Sequence, residues 1–238
     1  MKLVGERRAL AAVTFAFYFL SYLIVGLLGV AGELSPAFYA LAGVYGLAFF
    51  ALVAGYFWAR WYAVGVGLYG VITSAAGLWQ VGAEPVLLFL GGTHLVAVIL
   101  LWGSSMSETY DGQTAWREKL HMDENAVQRL GRSVIRAGVS LPLVLLYALA
   151  PKPGGATLAL SVGALVLAAF GLRAVVKART WGVVALGTAG ALMLTAAGAD
   201  LLAHHDALAL RASLGGALLV SSATPFFAPM LRFLSFAR

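Results

Sequence analysis

The sequence predicts an all-α fold, a polytopic membrane helix bundle of about eight transmembrane helices. Three observations predict it. The 238-residue chain is 61% hydrophobic and 11% charged, whereas soluble domains average about 45–50% and about 25%. The apolar residues form runs of about 20, the length that crosses a hydrocarbon core. The basic residues collect in alternate connections between those runs, as topology signals do.

The runs are 9–30, 36–57, 62–81, 85–103, 133–150, 155–174, 180–200 and 208–229. The first is longer than the roughly 7–15 residues of a signal-peptide apolar region. No small-residue cleavage site follows it, so it is expected to be a retained span. "WARWY" joins the second and third runs, and "QVGAEP" joins the third and fourth. Connections this short require antiparallel hairpins. Pro142 in the fifth run and Pro225 and Pro229 in the eighth are potential kinks. The terminal "PFFAPMLRFLSFAR" is expected to end the last span with a helix at the inner interface.

Eight spans put both termini on one side. That side carries Lys2, Arg7, Arg8, Arg60, Arg117, Lys119, Arg129, Arg132, Arg136, Arg173, Lys177, Arg179, Arg232 and Arg238. The other carries only Lys152 and Arg211, with Glu33, Glu84, Asp200 and Asp206. The basic side is expected to be cytoplasmic, in a prokaryotic inner or cell membrane. Trp58, Trp61, Tyr62, Trp102 and Trp181 fall at predicted inner ends and Trp79 at an outer end. There, half-polar rings can anchor at the headgroups.

Two four-helix repeats in parallel orientation are a further expectation. "LGGTHLV" at 90–96 returns as "LGGALLV" at 214–220, and "ARWYAVGVGLYGVITSAAG" resembles "ARTWGVVALGTAGALMLTAAG". Such matches also arise by chance in a chain rich in Ala, Gly and Leu. The expected organisation is a membrane half at 1–103, a cytoplasmic linker at 104–132 and a second membrane half at 133–238. In the linker, Trp116, Leu120, Val127 and Leu130 share a helical face that Thr114 could cap. An amphipathic helix and a flexible linker fit this stretch equally well.

The glycines of "GVYGLAFFALVAG", "GVGLYG" and "GTAGALMLTAAG" suit close helix packing. They lack the strand, Lys and Ser/Thr context of a phosphate loop. The chain has no cysteine, so disulfides, thiolate metal sites and thiol redox chemistry are excluded. No catalytic serine, zinc-protease or retinal-type lysine motif is present. No span has a central acidic residue of the kind a cation-coupled carrier uses.

Two places carry chemistry. His94 lies mid-span, where an ionisable group points to function by default. Its small neighbours Gly91 and Ala97 predict a ring turned into the bundle. Thr73, Ser74, Tyr18, Tyr22, Tyr45 or a backbone carbonyl could bond it. A ligand or proton-handling role is the alternative to a structural one. At the outer face, Asp200, His204, His205, Asp206 and Arg211 form a polar cluster, with Arg211 expected near Asp206 or Asp200. Adjacent ligands on one loop are weak evidence for a metal, and the histidine depths do not match for a bis-histidine haem, so no cofactor is expected.

Three functions remain. The first is a non-catalytic subunit or scaffold of a membrane assembly. The second is a small carrier or pore for an apolar or weakly polar solute. The third is an enzyme acting on lipid at the outer interface. The expected partners are the lipid bilayer and other membrane subunits or further copies of the chain, with no nucleic acid, because the bases are dispersed among the connections.

Overall fold

The computed structural model describes residues 3–151, 155–177, 179–204 and 207–236. It is an all-helical, polytopic bundle with no strand among the described residues. Among the described residues, seven helices are long and apolar enough to cross a membrane, and Pro85–Leu101 is a shorter apolar one. The chain divides into two compact units, Met1–Trp116 and Arg117–Arg238.

The first unit contains α1 (Val4–Leu27), α2 (Ser35–Ala54), α3 (Ala59–Val81) and α4 (Pro85–Leu101). Each packs on the next, and α4 packs back on α1, so the four close a ring. Turn chemistry sets the boundaries. Gly55 ends α2 in the left-handed region at φ 73°, and its N–H bonds the carbonyls of Ala51 and Leu52. Pro36 and Pro85 sit in the first turns of α2 and α4, where a missing N–H costs nothing.

The α3–α4 seam is built on glycine. A Cβ on Gly67 would lie 2.6 Å from Val98 Cγ2, and one on Gly77 would lie 2.9 Å from Leu87 Cδ1. Gly91 of α4 returns the arrangement by receiving Ser74. Small residues let helices touch where lipid supplies no hydrophobic drive between them.

The arginines at one end of this unit tie helices together. Arg7 of α1 donates from Nε to the Leu100 carbonyl at 3.0 Å, and from Nη2 to the carbonyls of Ile99 and Trp102. Arg8 donates to the carbonyls of Leu52 and Val53. The last turns of α2 and α4 contain no basic residue of their own. Their orphan carbonyls and negative dipole ends are therefore capped from a neighbouring helix.

The next segment folds over that end. Short helices α5 (Ser104–Thr109) and α6 (Thr114–Lys119) flank a turn. In that turn Asp111, 5% exposed, receives Arg60 Nε at 2.7 Å and Nη2 at 2.8 Å, with Ser107 Oγ at 2.9 Å. Tyr110 is fully buried and donates to the Leu52 carbonyl. Burial pushes its phenol above the usual range, while Arg8, 5.6 Å from the ring centroid, pulls it back down. Trp116 stacks on Phe57 at 4.0 Å and meets Trp61 edge-on.

Two expectations change here. Trp61 and Tyr62 are buried rather than set at a headgroup interface: Trp61 lies against Trp116 of this segment, and the Tyr62 hydroxyl donates to the Val44 carbonyl of α2. Trp58 and Trp102 remain partly or largely exposed, and Trp79 is 91% exposed. The face that joins Trp116 to Val127 and Leu130 is not one helix. Trp116 belongs to α6, and Asp123 caps a new helix by accepting the Ala126 N–H at 2.7 Å.

That helix is α7 (Glu124–Leu149), the start of the second unit, followed by α8 (Gly155–Val176), α9 (Trp181–His204) and α10 (Ala207–Phe236). It begins before residue 133 because the Asp123 cap makes the polar stretch helical, with Val127 and Leu130 buried. These four helices also close a ring of sequential neighbours. The continuous α10 passes through Pro225 and Pro229 without a break in helical structure.

Candidate functional site

His94 stands at the centre of the first unit, 2% exposed. Its position follows from α3. A Cβ on Gly70 would lie 2.0 Å from His94 Cδ2, so the imidazole occupies the space a side chain would take. Tyr18 of α1 covers the other side, with ring centroids 4.1 Å apart.

Both ring nitrogens are engaged. Nδ1 lies 2.7 Å from the Leu90 carbonyl oxygen, which can only accept, so Nδ1 carries the proton and donates. Nε2 lies 2.7 Å from the Tyr45 hydroxyl on α2, across the ring of helices. In the neutral tautomer fixed by Leu90, Nε2 accepts and Tyr45 donates.

Tyr18, Tyr22 and Tyr45 form an aromatic cluster around the imidazole, with Phe15 and Phe38 at its edge. Tyr18 is hydrogen-bonded to Thr93, whose hydroxyl donates to the Phe89 carbonyl at 2.7 Å. Thr73 turns back on the Tyr69 carbonyl, and Ser74 packs on Gly91, so neither is the bonding partner found for the imidazole.

Nδ1 faces an amide carbonyl, which accepts a hydrogen bond and has no proton of its own to pass on. The site can pin four helices: Tyr18 from α1, Tyr45 from α2, Gly70 from α3 and His94 from α4. A shallow, open groove of about 340 Å³ runs along the outside of the α1–α4 seam, lined by Leu10, Thr14, Phe89, Gly92, Thr93 and Val96. His94 does not line it.

The outer polar cluster is only partly within the described residues. His205 and Asp206 lie outside them, as does the side chain of His204. Asp200 is half-buried on α9, and the Tyr147 hydroxyl of α7 donates to its Oδ2. Arg211 is half-buried on α10. Among the described residues no group of three His, Asp or Glu side chains could hold a metal.

Sequence reasoning missed Tyr147, Asp111 and Arg136. Arg136 of α7 donates from Nη1 to the Ser221 carbonyl and, at 3.1 Å, to Thr224 Oγ1. Its sequence signal was a basic residue one turn inside a predicted span.

Compared with known protein families, curated proteins and solved structures, the chain matches none.

Proposed function

We propose that this integral membrane protein is a non-catalytic structural subunit of a membrane assembly, either with further copies of itself or with other membrane proteins. One observation carries the reading. The ionisable ring at mid-span has both nitrogens committed, one to a backbone carbonyl and one to a buried tyrosine. Held by both nitrogens, the imidazole ties α4 to α2, which is the work of a structural residue. The engagement of Asp200 by Tyr147 likewise argues against a free carboxylate for lipid chemistry.

Both termini face the cytoplasm in this reading, as the distribution of basic residues supports. The two rings of four sequential neighbours fit descent from one duplicated four-helix unit.

Purification in mild detergent is the test. The chain is expected in a stoichiometric assembly that His94→Gln leaves intact, since glutamine can hydrogen-bond but not titrate. A monomer that takes up solute into proteoliposomes, with uptake lost in His94→Gln, would overturn the reading in favour of a carrier. The native absence of cysteine makes sidedness directly measurable. Ala115→Cys and Glu33→Cys are expected to label from opposite faces of intact cells, and labelling of both from outside would refute the orientation.

A further inference from the structure

Pro225 sits inside α10 and has no N–H to give the carbonyl four residues back. That carbonyl belongs to Ser221. It accepts instead from Arg136 Nη1 of α7 and from Thr224 Oγ1 at 2.8 Å. Arg136 also bonds the Thr224 oxygen, so three groups close around the missing helical bond.

We propose that α10 hinges at Pro225 and that Arg136 is the latch that holds it straight. The part of α10 before Pro225 is anchored to its neighbours. Before it, Gly215 packs against α7, where an added Cβ would lie 3.0 Å from Leu143 Cβ. Gly216 packs equally closely on Leu194 of α9. Beyond it, the helix continues to Phe236.

Thirty helical residues extend about 45 Å, more than the roughly 30 Å of a hydrocarbon core. The excess reads "APMLRFLSF", largely apolar with one arginine. Such a sequence is poorly suited to project straight into water. It is suited to lie along the headgroup region, which a turn at Pro225 permits. With the latch closed, the terminal segment follows the axis of α10. With it open, the segment folds onto the inner surface of the bilayer.

The test is a distance measurement on the full chain in lipid nanodiscs. Spin labels are attached at Leu214→Cys and Ser235→Cys, which lie about 32 Å apart along a straight helix. Arg136→Ala is expected to broaden the distance distribution and shift it to shorter values. Pro225→Ala restores the N–H, and is expected to narrow the distribution and remove its dependence on Arg136. An unchanged distribution in Arg136→Ala, or equal broadening in both backgrounds, would overturn the latch. An unchanged distribution in Pro225→Ala would overturn the hinge. If Arg136→Ala alone does not fold, the double variant is expected to fold, and its failure too would assign Arg136 another role and overturn the proposal.

Discussion

Gly70 in α3 and Gly190 in α9 occupy similar places in the two units, each facing the last helix of its ring. They do different work. Gly70 makes room for an imidazole, and an added Cβ would collide with the His94 ring. Gly190 makes room for backbone, since its Cβ would lie 2.7 Å from both the Gly216 carbonyl oxygen and the Val220 nitrogen. A polar side chain therefore pins the first unit, whereas in the second two main chains meet directly. In a membrane, the same residue type can thus serve specific bonding or plain close approach, depending on what fills the space it leaves.

This difference predicts that an added methyl group can be rescued by trimming a side chain in the first unit and not in the second. Gly70→Ala is expected to have the largest effect, about 2–6 kcal/mol, from overpacking and the loss of both imidazole hydrogen bonds. It should be rescued in a His94→Ala background, where the methyl enters empty space and gains up to about 1 kcal/mol of helix propensity. Denaturant titration of the purified chain reads both, and failure of the rescue would break the comparison.

Gly190→Ala is expected to cost about 1–3 kcal/mol by the same measurement. Val220→Ala should not rescue it, because the clashing carbonyl and amide nitrogen remain. A full rescue would mean that this seam, too, is governed by side chains.

The smallest expected effects sharpen the contrast between the two tyrosine bonds that cross their rings. Tyr45→Phe leaves Nε2 buried without a donor and is expected to cost about 1–3 kcal/mol. Tyr147→Phe faces a half-buried carboxylate near a helix end, which water can reach, and is expected to cost less, about 0.5–1.5 kcal/mol. Thermal unfolding of the two variants in one detergent gives the order. The reverse order would locate the tighter polar contact in the second unit.

The membrane-spanning helices were legible because hydropathy depends only on local composition. The inward face of His94 was legible for a related reason: Gly91 and Ala97 mark it as a packing face. Tyr45 was among several possible partners, and the sequence had no means of choosing it. That choice depends on how α2 and α4 are rotated about the ring, which side-chain volumes on all four helices decide together. Gly70 was hidden among the glycines of "GVGLYG" for the same reason. The cover at 104–116 was less legible still. Its helices are too short for a periodic signal, and its anchor joins Arg60 to Asp111 across 51 positions of sequence. Trp61 and Tyr62 were placed at the interface because position along a span reveals neither a covering segment, which buries Trp61, nor a neighbouring helix, which meets Tyr62.

The arginine caps at the start of α1 impose an order on synthesis. Arg8 bonds carbonyls at residues 52 and 53, and Arg7 bonds carbonyls at 99, 100 and 102. A ribosome delivers the first set before the second, by roughly 2–10 s at ordinary elongation rates. During that interval the Arg8 acceptors on α2 already exist, while the Arg7 guanidinium still lacks its native ones. It must be held by water, headgroups or the insertion machinery until α4 emerges. The last contacts to close the first ring are therefore made by a side chain in the first turn of α1.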